Sequence, residues 1–164
     1  MDKQQKITVF ILAALLLVLL VAVVAVASRD VGPTIGDFIP PSFEENALAG
    51  MPEQPPAGFG TMTVTSEFVI GMCAAPSFDG TNLGLYFTSP QTNTVWMKVR
   101  VCDENGRVLG ESGLLKPGEH LPTLVLTDCP ITIERLYATV LSYEPDTYYS
   151  EGSVKVELKP SISG

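Results

Sequence analysis

The chain has one histidine, His120, which follows a Pro-Gly-Glu turn sequence and enters a predicted strand. A Ser-His-Asp triad also needs a nucleophile held in a strained turn, and the sequence contains no Gly-x-Ser-x-Gly motif to supply it. We therefore predict that His120 is an exposed turn residue. Since no catalytic constellation can be assembled around it, we also predict that the protein is not an enzyme.

Three cysteines and two acidic turn sequences are the candidates for metal binding. Cys73, Cys102 and Cys129 are too widely spaced for a Cys-x-x-Cys ligand pair, so we expect three reduced structural thiols. A single disulfide is the alternative, and the sequence does not decide which pair would form it. The segments at 79–82 and 103–105 could offer oxygen ligands to Ca²⁺, but Asp-Gly and Asn-Gly are commoner as turn formers. The prediction is no metal and no cofactor.

Aromatic side chains are the best candidates for a binding surface. Trp96 is predicted to lie on the outer face of its strand beside two basic residues, and three tyrosines cluster around the loop at 144–152. We call these four residues, Trp96, Tyr143, Tyr148 and Tyr149, the aromatic patch. Flat rings beside polar groups suit sugar stacking or protein binding. In the alternative interpretation, which we favour, Trp96 fills the domain interior and the tyrosines only hold the loop in place.

Alternating apolar and polar residues predict the elements that must position this patch. From residue 61 onward the period is two, which is typical of strands, and turn sequences separate the runs. About seven strands in the range 61–164 favour an all-β fold, an immunoglobulin-like antiparallel β-sandwich. The predicted strands lie near residues 61–70, 83–88, 95–102, 108–111, 120–126, 131–143 and 153–158.

The Asn-Gly pair at 105–106 predicts a hairpin with a two-residue loop. With those two residues as the loop, Arg100 faces Glu111 on the outer side of the sheet, where opposite charges stabilise the pairing. The same register directs a set of valines into the core. These valines are Val99, Val101 and Val108.

Residues 7–27 form an apolar run of 21 positions whose only polar side chain is a threonine. As a helix this run is about 31 Å long, which matches a hydrocarbon core of roughly 30 Å. Lys3 and Lys6 precede it, so the positive-inside rule predicts that residues 1–6 are cytoplasmic and that the C-terminal domain is extracytoplasmic. Cleavage after Ala27 is the alternative, but the apolar region of a signal peptide is usually shorter, at about 7–15 residues. We predict a single transmembrane helix that acts as an uncleaved signal anchor in the cell membrane.

A segment rich in proline and glycine, residues 28–60, joins the predicted anchor to the predicted strands. It contains six prolines and five glycines, and we predict a flexible linker because it buries too little apolar surface to offset its conformational entropy. The Ser-Phe-Glu-Glu sequence at 42–45 matches a helix capping box and predicts a short helix at 43–49. This helix is either a docking element, whose Phe43 contacts a partner or the globular domain, or a transient turn. We favour the turn because the helix has fewer than three turns.

The balance of charges limits the classes of partner that the protein can bind. Eighteen acidic residues against ten basic ones give a formal net charge of −8, which disfavours nucleic acid because phosphate binding needs clustered Lys and Arg. The sequence therefore predicts a non-enzymatic, membrane-tethered extracytoplasmic domain that mediates protein–protein contact or assembly in the cell envelope. The alternative is a carbohydrate-binding module that uses exposed aromatic residues. The expected partners are the membrane and an envelope protein or a glycan.

Three segments of the chain, taken in order, are similar to those of one group of proteins. They read ENALAGMP at 45–52, PSFDGTNLGL at 76–85 and ESGLLKPGEHL at 111–121. They resemble uncharacterised single-pass, membrane-anchored proteins of Gram-positive bacteria that carry an extracytoplasmic β-sandwich. The resemblance implies the location and the architecture, and it implies no activity or ligand. This chain differs from the group in its shorter spacer and its three cysteines.

Overall fold

The alternating pattern after position 60 forms strands, and shorter strands also form where the sequence carries no such pattern. The computed structural model describes Gln5 and residues 39–64, 68–129 and 134–162. The predicted anchor at 7–27 lies outside the described residues. The described residues from 39 to 162 form strands, bridges and turns with no helix, so the predicted all-β class is confirmed for this part of the chain. Within the described residues, no helix has the length and apolar character needed to span a membrane.

The described residues contain thirteen strands, whereas the sequence predicted about seven. Five of them have only two residues, which is too short for an alternating pattern to reveal. In chain order the strands are β1 Leu48–Ala49, β2 Phe59–Val64, β3 Phe68–Cys73, β4 Ser77–Phe78, β5 Asn82–Leu83, β6 Phe87–Ser89, β7 Trp96–Cys102, β8 Val108–Glu111, β9 Glu119–Leu121, β10 Leu124–Val125, β11 Leu136–Tyr143, β12 Ser150–Leu158 and β13 Ser161–Ile162.

These strands form three sheets. The first has five strands in the order β1-β9-β6-β3-β2, the second has four in the order β10-β5-β4-β13, and the third has four in the order β12-β11-β7-β8. All pairings between these strands are antiparallel except that of β13 with β4. One apolar core contains side chains from all three sheets, so the described residues from 40 onward belong to a single unit.

Strand alternation places the core as the sequence predicted in the third sheet. In β7, Met97, Val99 and Val101 are fully buried, whereas Trp96 and Arg100, which alternate with them, lie on the other face with partial exposure. β11 repeats the same alternation along its whole length. Since β7 and β11 are central in this sheet, they carry the framework on which the aromatic patch is built.

The single runs predicted at 61–70 and 83–88 are each divided in the structure. The first forms the hairpin of β2 and β3, in which Met62 pairs with Ile70. The second is interrupted between β5 and β6 at Tyr86, whose φ of 50° is incompatible with a regular strand. Continuous alternation therefore identified the strand residues but not the breaks, which depend on local backbone conformation.

The hairpin at 105–106 forms with a different loop from the predicted one. Arg100 pairs with Glu111, as the sequence predicted. The two-residue loop is wrong, because it needs a positive φ at both Asn105 and Gly106, and only Gly106 has one, at 82°. The loop also includes residues that flank this pair. The N–H of Gly106 donates to the carbonyl of Asp103 (3.1 Å), which closes a turn over residues 103–106.

A bulge in β8 reconciles the longer loop with the predicted pairing. The register shifts between Val101 and Cys102, which leaves Leu109 as an extra residue in β8. Leu109 is 1% exposed and lies in the core, whereas Val108 is 48% exposed. The prediction that Val108 points inward is therefore wrong, because the bulge exchanges the faces of the two residues.

The predicted helix at 43–49 is wrong, and this part of the predicted linker belongs to the β domain. The carboxylate of Glu44 accepts a hydrogen bond from the N–H of Gly113 (2.7 Å). Phe43 forms a parallel bridge with Leu114, and β1 pairs with β9. We call residues 42–50 the strap. A helix this short is marginal alone, and the strap instead forms backbone hydrogen bonds with Leu114 and Gly118 of the domain.

Two basic side chains hold Glu111 on the outer face of the third sheet. Lys98 and Arg100 both donate hydrogen bonds to its carboxylate, and the Lys98 side chain is only 9% exposed. Burial raises the pKa of Glu111, but the hydrogen bonds and charges of the two partners outweigh it, so the pKa lies below the ordinary value. The ion group therefore favours the folded state when Glu111 is ionised.

We expect Glu111→Gln to reduce stability at neutral pH and to lose most of that effect in acid. The folded carboxyl has the lower pKa, so its contribution is complete above the ordinary value of 4.5 and disappears as the pH falls through the folded pKa. The expected loss is about 1 kcal/mol at neutral pH. Urea unfolding at neutral pH and at about pH 3 measures it, with Trp96 as the only tryptophan reporting. An equal difference between the two proteins at both pH values would contradict this account.

Candidate binding surface

The third sheet places two members of the aromatic patch directly opposite one another. Trp96 in β7 pairs with Tyr143 in β11, and partners in an antiparallel register share a sheet face. Both side chains are half-buried. Trp96 lies on the outer face, on the side that the alternation of its strand indicated, because its neighbours Val95 and Met97 point into the core.

Two further rings pack against Trp96 from separate parts of the chain. Phe43 of the strap lies with its ring centroid 4.9 Å away at an interplanar angle of 78°, and Tyr148 lies at 5.3 Å and 61°. Both arrangements are edge-to-face contacts, which are favourable for aromatic pairs. The ammonium of Lys116 lies 4.5 Å from the centroid of the Phe43 ring. The surface is therefore a ring cluster with a cation at its margin.

Hydrogen bonds within one short loop position Tyr148 and Tyr149. The carbonyl of Glu144 accepts from the N–H of Tyr148 (3.0 Å), and the N–H of Glu144 donates to the carbonyl of Tyr149 (2.8 Å). The hydroxyl of Thr147 donates to the Glu144 carboxylate (2.6 Å). Asp146 and Tyr148 both have positive φ angles, 72° and 59°, so the loop has a defined, tightly turned conformation.

The four predicted residues have different environments. The structure brings Trp96, Tyr143 and Tyr148 together, whereas Tyr149 is 74% exposed. The interpretation that Trp96 fills the interior does not hold, because it lies half-buried on the outer face. Two protein rings already occupy part of its surface, so Tyr149 is the patch residue most available to a ligand.

Phe43 is the member of the surface that sequence reasoning did not assign to the patch. It is 37% exposed and contacts both Trp96 and Lys116. The signal that could have identified it is an aromatic residue within an otherwise polar, proline-rich segment. The sequence did raise a docking role for Phe43, and the structure shows that it docks on this chain's own domain.

The histidine is buried, so the prediction of an exposed turn residue is wrong. His120 lies in β9 and is 7% exposed, because β1 of the strap pairs with β9 and covers it. Its Nδ1 lies 2.8 Å from the carbonyl oxygen of Gly50. Since a carbonyl only accepts, Nδ1 carries the proton in this contact. His120 thus fastens the end of the strap to the first sheet.

All three cysteines lie in the described residues and are free thiols, as expected. Cys73 is buried, and its thiol is 3.4 Å from the carbonyl oxygen of Ala57. Cys102 and Cys129 are half-buried, and burial raises the pKa of the Cys129 thiol. A raised pKa keeps a thiol protonated and unreactive at neutral pH, which fits a structural role.

The acidic turns use their carboxylates to hold the backbone. Asp79 accepts hydrogen bonds from the N–H groups of Thr81 (3.0 Å) and Asn82 (2.7 Å). The side-chain amide of Asn82 adds a further bond, and these bonds lower the pKa of Asp79. Within the ranges the structure describes, no group of three or more His, Cys, Asp or Glu side chains is placed to hold a metal ion.

Comparison with known protein families, curated proteins and solved structures finds no match to this chain.

Proposed function

We propose that the chain is a non-enzymatic, membrane-tethered protein whose extracytoplasmic β domain makes protein–protein contacts in the cell envelope. The observation that carries the proposal is Tyr149, a ring exposed by 74% on a hydrogen-bonded loop beside the cluster around Trp96. Tyrosine offers a large contact area at a low entropic cost, and it is enriched among residues that dominate binding energy. A loop with fixed conformation reduces that cost further.

The tether in this proposal rests on the sequence. The apolar run at 7–27 has the length of a membrane span, and the lysines before it favour a cytoplasmic N-terminus. An immunoglobulin-like sandwich is the proposed fold, supported by the mainly antiparallel sheets that share one core. We also propose that the chain is evolutionarily related to the membrane-anchored proteins of Gram-positive bacteria that three of its segments resemble. The proposed linker is shorter than residues 28–60, because the chain already contacts the β domain from position 42.

Site-specific photo-crosslinking tests the contact. A photoreactive amino acid replaces Tyr149 in the full chain in native membranes, and a matched variant carries it at Glu157, which is exposed on β12. We expect protein adducts at position 149 to exceed those at position 157 several-fold. Equal labelling at both positions, or none at position 149, would overturn the proposal.

Carbohydrate binding is the second candidate, and the same exposed ring favours it. A sugar would stack on Tyr149, because Phe43 and Tyr148 already lie against Trp96. In this case the full chain binds a glycan, and Tyr149→Ala abolishes the binding, whereas Val125→Ala, at another exposed apolar residue, leaves it unchanged.

A further inference from the structure

Among the described strands, β2 forms an open edge of the first sheet. β3 pairs with one side of it, and β2 is the terminal strand in the sheet order. Its central residues 60–63 are all exposed. An edge strand presents backbone donors and acceptors to which another strand can add.

Hydrogen bonding in the hairpin shows which residues of β2 face outward. The N–H of Ala74 donates to the carbonyl of Gly58 (3.1 Å), so position 58 is a hydrogen-bonded position of the β2–β3 register. Such positions alternate with outward-facing ones, so Thr61 and Thr63 direct their N–H and C=O groups away from β3. Val69, the register partner of Thr63, agrees with this alternation, because its N–H and C=O bind a side chain on the far side of β3.

The edge of β2 lacks the charges that normally prevent strand addition. None of the 18 acidic or ten basic residues of the chain lies in Phe59–Val64. The edge strand β12 of the third sheet shows the opposite pattern, with exposed charged side chains at Glu151, Lys155 and Glu157. Since charged residues on edge strands prevent aggregation, one edge of the domain is protected in this way and β2 is not.

An apolar side chain also projects from this edge. Met62 is 42% exposed, although its register partner Ile70 is 1% exposed and belongs to the core. The two side chains lie on the same face of the sheet, because directly paired residues share a face. The core face of the first sheet therefore continues to its rim, where Met62 is only partly covered.

We infer that β2 pairs with β2 of a second copy of this chain, antiparallel and about a two-fold axis at Met62. In this register Thr61 faces Thr63 of the second copy, and the reverse pair is identical by symmetry. Because Thr61 and Thr63 both direct their backbone groups outward, these two pairs form four backbone hydrogen bonds. Each Met62 then faces Met62 of the other copy. A second copy fits this edge better than a charged partner, because the strand is self-complementary in register and carries no charge.

This inference concerns a different surface from the aromatic patch and stands whether or not the patch binds a protein. Disulfide trapping in the full chain tests it. Met62 occupies a non-hydrogen-bonded pair, in which the Cα atoms lie about 4.5 Å apart, and a disulfide accepts that separation. We expect Met62→Cys to give several-fold more disulfide-linked dimer under mild oxidation than Glu157→Cys. The natural chain with its three free cysteines sets the background.

A second measurement does not depend on oxidation. Met62→Lys places two ammonium groups opposite one another at the axis, whereas Val125→Lys introduces the same charge at an exposed apolar residue elsewhere. Sedimentation of the full chain in detergent is expected to show a dimer for the natural chain and for Val125→Lys and a monomer for Met62→Lys, with Trp96 emission unchanged. A monomeric natural chain, a Met62→Lys dimer, or trapping at position 62 no stronger than at position 157 would overturn the inference.

Discussion

We expect Asn93→Ala to destabilise the β domain by about 2–4 kcal/mol, because it leaves two backbone groups of Val69 without their partner. The side-chain amide of Asn93 accepts from the N–H of Val69 (2.8 Å) and donates to its carbonyl (2.8 Å). Asn93 is 6% exposed and also donates to the Ser89 hydroxyl (3.2 Å). Its amide thus replaces the hydrogen bonds of a neighbouring strand at this point of β3.

Urea unfolding of three variants checks the prediction. Thr94→Ala alters an exposed neighbour and should change the free energy of unfolding by no more than about 0.5 kcal/mol. Asn93→Asp should be at least as harmful as Asn93→Ala at neutral pH, because a carboxylate can only accept and would face the Val69 carbonyl. If Asn93→Ala stayed within the range of Thr94→Ala, the assigned role of the amide would be wrong.

Gly113→Ala should loosen the strap and expose Trp96. A Cβ at position 113 would lie 2.6 Å from the backbone nitrogen of Glu44 and 2.7 Å from the carbonyl carbon of Phe43. Backbone atoms cannot rotate away as a side-chain end can, so the strap has to move. We expect a loss of about 1–3 kcal/mol, the usual cost of overpacking. Because Phe43 moves with the strap, Trp96 emission should shift to longer wavelength.

Gly60→Ala is the matched control for this prediction. No atom lies within 4 Å of a Cβ at position 60, and its backbone does not need a positive φ. This variant should keep the natural stability and emission. If Gly113→Ala behaved in the same way as Gly60→Ala, the close contact between the strap and position 113 would not exist in solution.

The third sheet was predictable because its strands follow simple alternation. Val99 and Val101 point inward, and Arg100 faces Glu111, as read from the sequence. The bulge at Leu109 was not predictable from alternation, because an extra residue reverses the faces only locally. An Asn-Gly sequence indicates a turn, but the residues that flank it decide the length of the loop.

The strap was missed because its stability comes from distant partners. Glu44 hydrogen-bonds to Gly113, and Gly50 to His120, across separations of 69 and 70 residues. Local propensity in a segment rich in proline and glycine indicates neither contact. The same dependence on distant partners explains why the aromatic cluster was only partly predicted. Trp96 and Tyr143 lie together because their strands pair, which a period-two pattern can indicate, whereas Phe43 joins the cluster only because the strap packs on the domain.

The location of the β domain is the central claim, and protease treatment of cells with an intact membrane and no wall tests it most directly. The full chain carries an epitope tag after Gly164, and a cytosolic protein is the control for lysis. Protease added outside should remove the tag while the cytosolic control survives. A tag that survives outside treatment and disappears only after lysis would place the domain in the cytoplasm and contradict the account.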